Sequence, residues 1–96
     1  MSNFVLETKL RELDLLIDEV IINVNNKYKS LKNNIVETNY KLLYNLYYTN
    51  TLESNKRIYT QRKMLIDVKM LDLYFYKLYK YNEISYSMYK NISRRY

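Results

Sequence analysis

Apolar residues recur along this chain at steps of three and four, the mark of amphipathic helices. Leu6, Leu10, Leu13, Ile17, Val20 and Val24 form the first stripe and predict a helix over residues 4–24. Glu7, Arg11, Asp14 and Asp18 fall off that stripe and read as a solvated face. Residues 25–29 are a turn, and Ser30 is the expected cap of the second helix. Leu31, Ile35, Leu42 and Leu46, flanked by Val36, Leu43 and Tyr47, predict that helix over residues 31–50. A break comes next at residues 51–55, with Ser54 or Asn55 as the expected N-cap. Met64, Val68, Leu71, Phe75 and Leu78 then define the core face of a third helix over residues 56–81. Ser85 opens the fourth. Ile84 precedes that cap and Tyr89 stands four positions after it, the spacing of a hydrophobic staple, and Met88, Ile92 and Tyr96 carry the apolar row onward. Short connections make consecutive helices antiparallel. The pattern therefore predicts an all-α, up-down-up-down four-helix bundle, one domain over residues 1–96, with a short last helix.

The third helix carries a second apolar row: Tyr59, Ile66 and Leu73, seven apart, with Met70 beside them. At ~100° per residue, Leu73 points roughly 160° away from Leu71. A helix apolar on opposite sides is normally sandwiched. Its own bundle covers one side, so these four residues are the expected contact with another copy, in a homo-oligomer. The stretch LDLYFYKLYKY at residues 71–81 adds a dense run of tyrosines. Phe75 points to the core and Tyr79 to its edge, while Tyr74 and Tyr81 share one flank and Tyr76 takes the other. The rings therefore do not form one flat stacking platform. They suit core edges, with hydroxyls reaching water or a polar partner; base stacking is the other use.

Composition narrows the function. The chain has no Gly and no Pro, which disfavours tight hairpins, and twelve Asn residues can supply left-handed turn conformations instead. No Cys and no His means no disulfide, no thiolate metal site and no His-based catalysis. A helical nuclease of the HEPN type needs an Arg-x4-6-His pair, which is absent. Without glycines there is no phosphate-cradling loop. Asp14 and Asp18, one turn apart, are the nearest thing to a Mg²⁺ site, and read more simply as a solvated acidic face. Asp67 and Asp72 diverge by roughly 140° on one helix and cannot form a dyad; Asp72 is placed to accept hydrogen bonds from Tyr or Lys. The expectation is a non-enzyme with no catalytic residues, no metal, no cofactor and no small-molecule substrate. There is no apolar run of about 18 residues for a membrane span and no signal-like N-terminus, so cytoplasm is the default location and the sequon at residues 91–93 is read as chance.

The net charge of +6 is unevenly placed: residues 1–19 sum to −3, from five acids and two bases, and residues 20–96 to +9, from fourteen bases and five acids. The bases fall in clusters. Lys27, Lys29 and Lys32 precede or open the second helix; Arg57, Arg62 and Lys63 open the third. Lys69, Lys77 and Lys80 lie along the third helix, and Lys90, Arg94 and Arg95 on the fourth. In an antiparallel bundle the first cluster meets Lys77 and Lys80 at one end. Such a surface binds RNA or DNA through its phosphates, with little base preference and steep salt dependence. Lysines that merely solubilise helices are the other reading.

The segment from Arg57 through residues 63–73, then residues 78–85 (LYKYNEIS), then Tyr89, resembles the second half of the small Avd-like four-helix-bundle proteins. Avd is the accessory variability determinant of diversity-generating retroelements; a related branch is encoded in 23S rRNA intervening sequences. An Arg opening the third helix, a long Leu/Ile-rich helix, and a short link ending Ile-Ser before an early Tyr form the shared pattern. Lys-Ser-Leu-Lys at residues 29–32 and the Asp/Leu-rich first helix fit its first half. Family members usually continue the fourth helix, often with glycines and a Trp, where this chain reads Arg94-Arg95-Tyr96. The resemblance implies a non-enzymatic, basic protein that forms a pentameric barrel and binds a reverse transcriptase and nucleic acid during mutagenic cDNA synthesis. The competing expectation is a small helical adaptor or a phage-borne inhibitor that binds another protein through the Tyr59, Ile66 and Leu73 face.

Overall fold

A computed structural model describes residues 3–96, with side chains from residue 5 onward. Among these residues there are four α-helices and no strand: α1 (Asn3–Ile22), α2 (Lys29–Asn50), α3 (Ile58–Lys80) and α4 (Tyr86–Arg95). The predicted stripes locate all four helices, but two predicted caps do not act as caps. A 3₁₀ turn over Asn26–Tyr28 winds directly into α2, so the helix starts at Lys29 and Ser30 lies inside it. Asn25 does the capping instead: its side chain accepts a hydrogen bond from the Lys27 N–H at 2.9 Å. A second 3₁₀ turn, Ser54–Lys56, precedes α3, so neither Ser54 nor Asn55 caps that helix. Arg57 holds the N-cap position, and its Nε donates to the Leu52 carbonyl at 2.9 Å, tying the turn back to the end of α2.

The α3–α4 corner obeys its local sequence closely. The Asn82 N–H donates to Tyr79 O (3.0 Å) and the Glu83 N–H to Leu78 O (2.9 Å), the paired bonds of a Schellman close. That close requires a left-handed residue, and Asn82 supplies it with φ 61°. Ser85 then caps α4, its hydroxyl accepting from the Met88 N–H at 3.0 Å.

Each helix packs on its sequence neighbours and α1 closes on α4, in an elongated body of 43 × 22 × 17 Å. Leu13, Ile17, Ile35, Leu42, Leu71, Phe75, Leu78 and Ile92 are almost fully buried. Burying each such side chain contributes about 1.5–3 kcal/mol. Leu6 departs from its predicted stripe and is exposed, as is Tyr47, whose hydroxyl accepts from Arg11 Nε at 2.9 Å. Nor is the polar face of α1 wholly solvated. Asp14 is half-buried and accepts a hydrogen bond from the amide of the buried Asn39, whose oxygen accepts from the Tyr96 hydroxyl at 3.0 Å. Burial, then the charge of Asp18, raises the Asp14 carboxyl above its usual range.

α4 is short and runs beside the second half of α3, from Tyr86 near Tyr79 to Ser93, whose hydroxyl reaches Asp72. The expected role of Asp72 as an acceptor is met there and by the Tyr89 hydroxyl, both at 3.0 Å. Away from α4, α2 and α3 meet along a polar seam. Thr49 donates to Thr60 at 2.6 Å, Thr60 donates to Arg57 O at 3.0 Å, and Lys41 pairs with the buried Asp67 at 3.5 Å. Small polar residues at this seam let the two helices approach closely, and theirs is the most extensive contact in the bundle.

Candidate nucleic-acid interface

The end of the bundle where α1 finishes and α3 meets α4 brings cations and tyrosines together. The 3₁₀ turn presents Tyr28 to Tyr81, the residue that ends α3, and the two rings stack 5.1 Å apart and nearly parallel (5°). Lys27 lies over Tyr28 at 5.1 Å. The Asn25 N–H donates to the Glu83 carboxylate at 3.2 Å, a second tie between the turn and the α3–α4 corner. Lys27 therefore sits beside the last turn of α3, which carries Lys77 and Lys80. Antiparallel packing predicts that juxtaposition. It does not predict the Tyr28–Tyr81 stack that fixes it, although a Tyr flanked by Lys27 and Lys29 is the available signal.

Next to it, α3 and α4 share four tyrosines. Tyr79 and Tyr89 are parallel at 5.9 Å, with Tyr86 edge-on to Tyr79 at 5.3 Å and Tyr76 edge-on to Tyr89 at 5.9 Å. Lys80 lies over Tyr76 and Tyr79, and Lys90 over Tyr86 and Tyr89, all at 5.6–5.9 Å. Tyr89 is buried, and its hydroxyl is pushed above the usual tyrosine range first by burial and then by its bond to Asp72. Tyr76, Tyr81 and Tyr86 are exposed. The tyrosine-rich stretch is thus split: Phe75 fills the core, Tyr74 and Tyr79 line its edge, and Tyr76 and Tyr81 face out beside lysines. Lysines held over ring faces keep a defined position without losing their charge.

The twelve predicted contact residues do not form one patch. Lys27, Lys77, Lys80 and Lys90 gather at this end, with Lys29 at the start of α2 close by. Lys32 is committed elsewhere: its ammonium donates to Val24 O at 2.9 Å and to Asn26 at 3.2 Å, closing the end of α1. Arg57, Arg62 and Lys63 lie at the start of α3, about 25 Å away along its axis. Arg57 is engaged with Leu52, and Lys63 lies over Tyr59 at 4.8 Å. Arg94 and Arg95 line a separate groove with Lys9 and Glu12, and Lys69 lines another with Tyr96. A further groove of about 350 Å³ between α1 and the α3–α4 corner is edged by Glu19 and Glu83, which repel phosphate. Tyr59, Ile66, Met70 and Leu73 are all exposed on a single subunit, at 65, 60, 37 and 42 %.

Among the described residues no three carboxylates, or other metal-binding side chains, converge. No helix there is long and apolar enough to cross a membrane. Compared with protein-family models, curated proteins and solved structures, the chain matches none of them.

Proposed function

We propose that this protein is a non-enzymatic accessory protein that grips RNA or DNA by its phosphates. The observation that carries this reading is the interleaving of Lys27, Lys77, Lys80 and Lys90 with Tyr28, Tyr76, Tyr81 and Tyr86 at one end of the bundle. The cations attract the backbone, and the exposed rings of Tyr76, Tyr81 and Tyr86 offer faces to unpaired bases. Lys77 and Lys80 also stand at the C-terminal end of α3, where the helix dipole favours positive charge. The Avd-like resemblance supplies the finer proposal: a ring-forming partner of a reverse transcriptase, supporting mutagenic cDNA synthesis in the cytoplasm. The same fold in an rRNA intervening sequence is its nearest variant. In a ring, weak contacts from each copy add by avidity.

The test is a salt titration of binding to a structured RNA and a DNA single strand. Log affinity should fall linearly with log salt, and changing Lys27, Lys77, Lys80 and Lys90 to Ala should flatten the slope by about 0.7 per lost single-strand phosphate contact. Binding that ignores salt, or that survives the four changes intact, overturns the reading. The exposure of Tyr59, Ile66, Met70 and Leu73 favours a second reading, a protein-binding adaptor. The same face is the proposed contact between copies in a ring; a strict monomer by light scattering at micromolar concentration removes that part.

A further inference from the structure

A cleft between the last turns of α2 and the first turns of α3 is distinct from the basic end. It measures about 370 Å³ and is lined by Tyr44, Asn45, Tyr48, Tyr59, Thr60 and Lys63. Three of its walls are tyrosine rings left exposed at 67, 47 and 65 % for Tyr44, Tyr48 and Tyr59. The Tyr44 and Tyr48 rings are nearly parallel (9°) at 6.4 Å. Asn45 lies deeper, with only 9 % of its surface exposed, and its side chain makes no hydrogen bond among the described residues. Among those residues the one fully enclosed and unbonded side-chain polar atom is Asp67 Oδ2, so the Asn45 amide keeps an opening, and the cleft it lines is that opening. Water or a ligand entering the cleft can therefore supply the partners that the Asn45 amide lacks within the protein. Thr60, by contrast, is already satisfied by Thr49 and Arg57.

We propose that this cleft is a nucleobase site, which receives an unstacked purine of a single strand. The proposal rests on, and deepens, the nucleic-acid reading above. Aromatic faces stack any base, and a planar carboxamide offers a donor and an acceptor side by side, the pattern that pairs with adenine N6 and N7. Lys63 at the rim supplies charge for the adjoining phosphate. An aromatic cage for a cationic ligand is disfavoured, because the Lys63 ammonium already lies over Tyr59 and no carboxylate lines the cleft. Nucleobase recognition here has two sources, a strand or a free nucleotide.

The experiment compares fluorescein-labelled oligo(dA) with an abasic strand of the same length, and adds AMP as competitor. Wild-type protein should bind oligo(dA) about tenfold more tightly than the abasic strand. Tyr44→Ala, a change at an exposed ring outside the proposed contact between copies, and Asn45→Leu should each bring that ratio close to one while leaving abasic binding unchanged; if Asn45→Leu loses helicity, Tyr44→Ala alone decides. Displacement of oligo(dA) by AMP, with a shift of the Asn45 side-chain amide resonance, assigns the site to free nucleotides as well as strands. A tenfold preference that AMP does not compete away assigns it to strands. Equal binding of the two strands by wild-type protein overturns the base site and leaves the phosphate-gripping end standing. No binding of either strand overturns both.

Discussion

At the level of Phe75 the bundle is closed by α4, whose Tyr89 and Ile92 are buried; at the level of Thr60 it is closed by hydrogen bonds between α2 and α3. The first region is apolar: Ile17, Ile35, Leu71, Phe75 and Leu78 exclude water almost completely. The second holds Asn45, Thr49, Thr60 and Asp67 in buried positions, with tyrosines left outside them. Apolar burial gives stability without direction. A polar seam gives direction and fixes which helix faces meet, while adding less net stability. The bundle is therefore anchored where α4 covers it, and Asn45 and Asp67, its incompletely bonded polar groups, sit at the contact of α2 and α3.

The sharpest way to break the contrast is at its apolar pole. Phe75→Ala should cost about 3–5 kcal/mol in urea unfolding, because the ring is 1 % exposed and its cavity cannot close fully. A cost below ~1 kcal/mol would mean that this region is not the anchor. A smaller effect, of opposite sign, is expected at the seam. Asp67 is buried, paired on one oxygen with Lys41 at 3.5 Å and unbonded on the other. Asp67→Leu should leave helicity unchanged and stabilise by about 1 kcal/mol or more, since an apolar residue avoids the desolvation of a buried charge. Loss of stability in the same unfolding assay would show that the charge pair is a net contributor and that the two regions are more alike than proposed.

The smallest effect lies where the two regions join. Tyr96→Phe removes the hydroxyl that donates to Asn39 and should cost about 1 kcal/mol. Burial, then the Asp14 charge, holds the Tyr96 hydroxyl well above the usual tyrosine range. Because its folded value is raised, the unfolded chain ionises first, at about pH 10. The stability tied to this group is then complete below about pH 10 and falls as pH rises above it. Tyr96→Phe should flatten that alkaline loss in circular dichroism melts, leaving the share from Tyr89, whose hydroxyl is raised in the same sense.

The helices were legible because periodicity is a property of single segments, and the stripes through Leu13, Leu42 and Leu71 locate the core directly. Caps were less legible. Ser85 works as its local sequence indicates, but Ser30 and Ser54 were displaced by 3₁₀ turns that lengthen or delay the helix start. The basic end was half visible: antiparallel packing predicts that Lys27 meets Lys80, but the Tyr28–Tyr81 stack joins residues fifty-three apart and leaves no local trace. The cleft at Asn45 was invisible. Tyr44 and Tyr48 share a helical face by spacing, but only the packing of α3 brings Tyr59 and Lys63 across from them. Lys32 and Arg57 read as contact residues by charge; the structure spends their donors on Val24 and Leu52 carbonyls, a use that charge clustering cannot reveal.

Asn82 has one more consequence. Among the described residues it alone adopts a positive φ, in a chain that contains no glycine. Sequence drift at this corner should accordingly be selective: glycine would enter freely, aspartate with little penalty, and valine or isoleucine hardly at all, since a branched side chain is strained there. The reversal that folds α4 back onto α3 thus acts as a filter on which descendants of this chain can keep their fourth helix.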